Sequence, residues 1–241
     1  MRRLKFLFIL IVLPLAFEGC FIDDDTICSR GSGPLETRSF SIEEFTSFNM
    51  GISGNVFVTQ GETQSVTIQG QENVLNQINT NVSGGTWNIN LGKCFRRYEP
   101  LEIFITVNSL NGIALSGSGN IIGQTPFDAA NMQITLSGSG NITFTIDNSD
   151  QINTVLSGSG GIVLSGDVDN HIINVAGSGN VQSFNLESQT SSVNISGSGS
   201  ADVNVVNALV ATIVGSGNIR YRGNPTIERN ISGSGNVIDA N

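Results

Sequence analysis

The chain returns again and again to the pattern of Ile134-Thr-Leu-Ser-Gly-Ser-Gly-Asn-Ile142. Ser-Gly-Ser-Gly or a close variant closes on Gly119, Gly140, Gly160, Gly179, Gly199, Gly217 and Gly235, at spacings of 21, 20, 19, 20, 18 and 18 residues. A period near 20 without helical patterning is the mark of a strand-and-turn solenoid. Apolar residues ahead of each corner mostly alternate with period two, as in a strand with one buried face. Leu115, Leu136, Leu156, Val175, Ile195, Ile213 and Ile231 share one register position and are expected to stack inside. Ile121, Ile142, Ile162, Val181, Ala201, Ile219 and Val237 follow the corner and are expected to form a second inner wall. The glycines allow a backbone turn that a side chain would block.

These features predict an all-β, single-stranded parallel β-helix of about 20 residues per coil, right-handed by the usual crossover preference. Seven corners make six steps of about 4.8 Å, so the repeat part is expected to run roughly 29 Å. Stacking places like over like. The middle serines, Ser118 to Ser234, occur in all seven copies, and an asparagine follows in five (Asn120, Asn141, Asn180, Asn218, Asn236). Such columns form hydrogen-bonded ladders. The competing use is a Ser/Asn stripe that touches a ligand.

Composition agrees. Charged residues make up 13% of the chain, against about 25% in an average domain, and there are 29 glycines but 5 prolines among 241 residues. The formal net charge is −9. Without residues 1–19, which hold Arg2, Arg3, Lys5 and Glu18, it is −11. A chain this acidic is a poor nucleic-acid binder.

The N-terminus reads as an export signal. Met1 to Lys5 is basic, and Phe6 to Phe17 is an apolar run broken only by Pro14. That run is too short to span a bilayer, which takes about 20 residues. Gly19-Cys20 then looks like a bacterial lipoprotein junction with lipid on Cys20, although Phe17 and Glu18 are unusual there; the alternative is an ordinary exported cysteine. Asp23-Asp24-Asp25 resembles a surface-export signal of Bacteroidetes-type lipoproteins, or is a solvated charge run. The expected address is therefore an exported outer-membrane lipoprotein. It meets the membrane through its lipid alone and is either surface-exposed or periplasmic. Cys28 and Cys94 are the remaining cysteines, either one disulfide or two free thiols.

Four segments follow: a signal over 1–19, a polar tether over 20–37 with Gly31-Ser-Gly-Pro34 as its flexible part, a less regular β region over 38–111, and the β-helix repeats over 112–241. In the third, Asn55–Thr59 and Gln64–Gln69 read as adjacent strands, and Asn73–Ile78 as one helical turn. Trp87 alternates in phase with Ile89 and Leu91, so it belongs to the core rather than to a sugar platform. Lys93, Arg96 and Arg97 form a basic loop within Gly92 to Pro100. The open edge of the last coils invites self-association, which the charge returned there by Asp239, Arg220, Arg222 and Arg229 opposes.

Catalytic patterns are thin. β-Helical polysaccharide lyases need a basic residue, and no Lys or Arg lies between Arg97 and Arg220. Asp167 and Asp169 are the best carboxylate pair for hydrolysis or calcium, but Ser165-Gly-Asp-Val-Asp-Asn170 reads more simply as a polar turn. His171, the sole histidine, has neither a Gly-x-Ser-x-Gly elbow nor a CxxC zinc pattern for company. No catalytic residue, metal or cofactor is expected.

An ordered set of motifs carries a resemblance. Phe40-Ser-x-x-x-Phe45, Val56-Phe-Val-Thr-Gln-Gly61, Val66-Thr-Ile-Gln-Gly70, Gly85-Thr-Trp-x-Ile-x-Leu91 and Ile103-Phe-Ile-Thr-Val107 precede the Leu-Ser-Gly-Ser-Gly corners. Over residues 38–241 this order resembles the auto-transporter adhesin family with the head GIN domain, common in Bacteroidetes. The resemblance implies a β-helical fold, an export signal and no established catalytic residues. Expected is a non-enzymatic, adhesin-like surface protein binding a glycan or protein partner through polar outer positions such as Thr135, Asn174, Asn194, Thr212 and Asn230. A polysaccharide-active enzyme and a purely structural envelope protein are the alternatives.

Overall fold

The computed structural model describes residues 28–241; the expected signal and Cys20 lie outside the described residues. The chain is nearly all β, 65% strand and 2% helix, wound as a parallel β-solenoid with coils roughly 20 residues apart. Parallel pairing runs like over like. One inner column reads Ile89, Met50, Leu115, Leu136, Leu156, Val175, Ile195, Ile213, Ile231, nine rungs in register. The second reads Ile103, Val56, Ile121, Ile142, Ile162, Val181, Ala201, Ile219, Val237. Burying each aliphatic side chain contributes roughly 1.5–3 kcal/mol, and most of these are fully buried. Ile231 departs from expectation. It is 42% exposed, because no further coil covers it among the described residues.

The solenoid begins earlier than residue 112, and out of chain order. Ser47–Met50 and Gly54–Gln60 pair in parallel with Gly112–Leu115 and Asn120–Gly123 on one side. On the other side they pair with Thr86–Ile89 and Leu101–Val107. The first coil in the chain is thus sandwiched, the second lies outside it, and the third returns to the opposite face. Eight steps of about 4.8 Å make a stack of roughly 38 Å. The corner of that first coil, Met50-Gly-Ile-Ser-Gly-Asn-Val56, is a diverged copy of Leu115-Ser-Gly-Ser-Gly-Asn-Ile121.

The outermost parallel strand, Leu101–Val107, pairs antiparallel with Ser65–Gln71, which pairs antiparallel with Leu35–Phe40. Asn55–Thr59 and Gln64–Gln69 are therefore not neighbours, because Leu101–Val107 lies between them. The change of direction closes this end of the solenoid. A four-residue helix, Glu72–Leu75, adds buried Val74 and Leu75 to the cap. Trp87 is fully buried, packs on Phe45 at 5.5 Å between ring centroids and donates its indole N–H to the Asn79 carbonyl at 2.8 Å. Within the expected tether, Ser29–Arg30 pairs with Phe95–Arg97, and Leu35–Phe40 is the cap strand.

The corner glycines have a different origin from the one expected. A Cβ on Gly119, Gly140, Gly160, Gly179, Gly199, Gly217 or Gly235 would lie inside the carbonyl oxygen of Gly54, Gly119, Gly140, Gly160, Gly179, Gly199 or Gly217, one coil below. None of the seven has a positive φ. Close stacking, not turn conformation, excludes the side chain. The segment read as a polar turn, residues 165–170, lies within the continuous strand Gly161–Val175, with Val168 buried and only Gly166 at positive φ, +112°.

The coil order is testable by proximity. Asn49 is the direct partner of Ala114, whereas Asn88 lies two rungs from it, about 9.6 Å. Under non-reducing conditions, Asn49→Cys with Ala114→Cys is expected to be joined by a crosslinker reaching about 5 Å between neighbouring strands, and Asn88→Cys with Ala114→Cys is not. The reverse pattern would mean that the coils stack in chain order.

Candidate functional site

The outer polar strip exists as a column but not as an unbroken one. Ala114, Thr135, Val155, Asn174, Asn194, Thr212 and Asn230 follow one another in register. Ala114 and Val155 interrupt the polar run. Asn194 donates to Asn174 Oδ1 at 3.3 Å, and Gln133 donates to Thr135 Oγ1 at 3.3 Å. Beside this column the middle corner serines are exposed. The asparagine ladder is real where asparagines adjoin: Asn120 donates to Asn55 at 2.9 Å, Asn141 to Asn120 at 3.1 Å and Asn236 to Asn218 at 3.4 Å. Gly161 and Ser200 break it.

The structure keeps Asp167 and Asp169 on one outward face, either side of buried Val168, and turns His171 away from them. Asp167 and Asp169 are exposed. Asp167 accepts the backbone N–H of Asn148 at 3.1 Å, bracing the corner of the preceding coil where Asn148 takes φ +54°. His171 points inward, 1% exposed, stacked between Ile152 and Ser191, and shares a 3.0 Å hydrogen bond with Thr154 Oγ1. Nearby, Ser188 and Ser191 are buried and bonded to each other at 2.8 Å. Among the described residues no group of three or more His, Cys, Asp or Glu is placed to hold a metal.

Charge gathers at the two ends. At the C-terminal end it serves the fold. Asp202, 5% exposed, takes both Nε and Nη2 of Arg220, a bidentate pair that raises the Arg220 pKa through the hydrogen bond and the opposite charge. Arg222 lies over the Phe184 ring at 4.3 Å. At the cap end, Cys28 and Cys94 are joined, S–S 2.08 Å, across a separation of 66 residues. The bond and the Ser29–Arg30 pairing fix the basic loop against the cap. Tyr98 packs edge-on against Phe95 at 6.1 Å, and its hydroxyl accepts the Ser53 N–H at 3.2 Å. The Glu99 N–H is held by Gln71 Oε1 at 3.0 Å.

Two open clefts flank the loop. One, of about 510 Å³, is lined by Arg30, Arg96, Arg97, Tyr98, Gln71 and Glu99 among others. The other, of about 470 Å³, carries Lys93, Arg96 and Tyr98 and reaches Gly117 and Ser118 at the first Ser-Gly-Ser-Gly corner. The basic cluster was visible in the sequence. Its partners Arg30, Ser53 and Gln71 were not, because they arrive from 26 to 67 residues earlier in the chain. The one signal pointing to them was the Cys28 and Cys94 pair.

With this geometry in hand, the comparisons are specific. The family model described as "Putative auto-transporter adhesin, head GIN domain" matches residues 44–225. The chain belongs to this family. A crystal structure from Bacteroides fragilis, described as a "putative adhesin", is 26% identical, with TM-score 0.82 over 87% of this chain and 99% of that one. One from Parabacteroides distasonis, described as a "putative lipid binding protein", is 27% identical, with TM-score 0.73 over 88% and 99%. A Parabacteroides merdae "putative adhesin", 23% identical with TM-score 0.72 over 89% and 100%, shares the fold. No curated protein matches in sequence. Head GIN membership suggests a non-enzymatic, adhesin-like role at an exported, cell-surface location.

His171 gives a pH prediction. Burial lowers its pKa from 6.5 to about 3, so the folded chain keeps the ring neutral while the unfolded chain protonates it below 6.5. The stability that depends on neutral His171 is therefore complete above about pH 6.5 and is lost as pH falls toward 3. Between pH 6.5 and 5, ahead of most carboxylate titration, the expected loss is about 1.6 kcal/mol. Urea unfolding at both pH values reads it; His171→Leu is expected to flatten the difference, and an equal slope in both proteins would contradict it.

Proposed function

We propose that this chain is a non-enzymatic, surface-displayed binding protein, anchored by lipid on Cys20, that engages an extracellular glycan through its outer walls. The carrying observation is the column Thr135, Asn174, Asn194, Thr212 and Asn230. It presents hydroxyl and amide groups on successive coils about 4.8 Å apart, with Val155 the one apolar step between Thr135 and Asn174, and the coils stay in register along the column. A scaffold whose backbone is already ordered by strand pairing loses little conformational freedom on binding, so many weak contacts sum usefully. His171, buried away from exposed Asp167 and Asp169, supports binding rather than turnover. Family membership and the export-type N-terminus support display.

The test joins display and binding. Protease shaving of intact cells is expected to release the mature chain. The purified mature protein is expected to bind a subset of a glycan array, and Asn174→Ala with Asn194→Ala and Thr212→Ala to weaken that binding at least about tenfold, roughly 1.4 kcal/mol, with unchanged unfolding. Failure to bind any glycan, or new reducing or unsaturated ends on incubated polysaccharides, would overturn it.

A further inference from the structure

The cap-end cleft offers chemistry that the polar wall lacks. Eight basic residues occur among residues 28–241, and four of them, Arg30, Lys93, Arg96 and Arg97, line the two clefts beside the Gly92–Pro100 loop. Of the others, Arg38 lies beside Glu36 on the cap strand, and Arg220, Arg222 and Arg229 lie in the last coils. A chain of net charge −9 thus concentrates half its described cations on one rim. Such a focus in an otherwise acidic body guides an anion to one place and repels it elsewhere.

Shape and stiffness narrow the choice of anion. The larger cleft, about 510 Å³, is concave and has the size of a small-ligand pocket. A bilayer presents a plane, which suits a flat or convex basic face better. The Cys28–Cys94 bond, the Ser29–Arg30 pairing and the Tyr98–Ser53 hydrogen bond fix the rim before any ligand arrives. Guanidinium groups match carboxylate and sulfate oxygens in bidentate geometry. Glu99 on the rim works against a dense polyanion and favours separated charges. The second cleft shares Arg96, Tyr98 and Ser53 with the first and opens onto Gly117 and Ser118, where the row of exposed corner serines begins.

We infer that this cleft is an anion-reading subsite for an acidic polysaccharide. A carboxylate or sulfate group on the saccharide meets Arg96, Arg97 and Arg30, and the neighbouring sugar units leave past Tyr98 along the serine row. The inference rests on the glycan-binding reading above and adds that the glycan is charged.

The test titrates the mature protein with polygalacturonate, chondroitin sulfate, neutral mannan and phosphatidylglycerol vesicles. The acidic polysaccharides are expected to bind, more weakly as salt rises. Arg96→Gln with Arg97→Gln is expected to weaken that binding at least tenfold, while Arg222→Gln leaves it unchanged. Unfolding midpoints and the Cys28–Cys94 bond, read by non-reducing mass spectrometry, confirm that the variants are folded. Acidic-polysaccharide binding that ignores Arg96 and Arg97, or mannan binding with no preference for charge, overturns the subsite and leaves glycan binding standing. Vesicle binding through these arginines without polysaccharide binding assigns the cleft to lipid headgroups and overturns the subsite. Absence of binding to every polysaccharide overturns both readings.

Discussion

Everything in this molecule depends on how closely one coil can lie on the next at its corners. Parallel strands stack at about 4.8 Å only if the connecting corners are no thicker than the strands. Here the corners meet that limit by having no side chain where the backbone crosses. Gly160 lies on the carbonyl of Gly140, which lies on that of Gly119, which lies on that of Gly54. With the corners thin, the backbone bonds continue through them, as in the 2.9 Å bonds from Ser137 to Leu115 and from Ser157 to Leu136. The two aliphatic columns then fall into register, and the outer side chains inherit the same spacing. The polar wall is a consequence of the corner, not a separate design.

This also explains what was legible in advance. Seven clear copies of one corner revealed the period, and alternation around them revealed the columns; Leu136 and Ile142 stand where pattern placed them. The winding order of the first coils was hidden because Met50-Gly-Ile-Ser-Gly-Asn-Val56 has lost the first corner glycine to Ile52. Gly54 and Asn55 were the surviving signals, and they lie directly beneath Gly119 and Asn120. Nothing local in Thr86–Ile89 says that it pairs outside rather than inside the first coil. Only the antiparallel cap formed by Ser65–Gln71 and Leu35–Phe40 decides that.

The site was legible to a lesser degree, for a physical reason. Period-two reading works along a straight strand but fails across the second corner of each coil, where the inward phase resets. That is how His171, Ser188 and Ser191 come to be buried while looking like surface residues, and how Asp169, two residues from His171, comes to face solvent. The cap-end cleft shows the opposite case. Its charge stood out in sequence, but its concavity depends on Cys28 meeting Cys94 and on Tyr98 reaching Ser53, contacts spanning 66 and 45 residues. A repetitive scaffold supplies a uniform wall, and specificity collects where the repetition stops.

A paired scan of urea unfolding probes the corners at first hand. Gly140→Ala, Gly160→Ala and Gly179→Ala each force a Cβ into the carbonyl below, whereas Ser139→Ala, Ser159→Ala and Ser178→Ala remove only exposed hydroxyls. The predicted result is a loss of about 1–3 kcal/mol or more for each glycine change and no more than about 0.5 kcal/mol for each serine change. Glycine variants as stable as the native chain, or serine variants as damaged as the glycine ones, would contradict it.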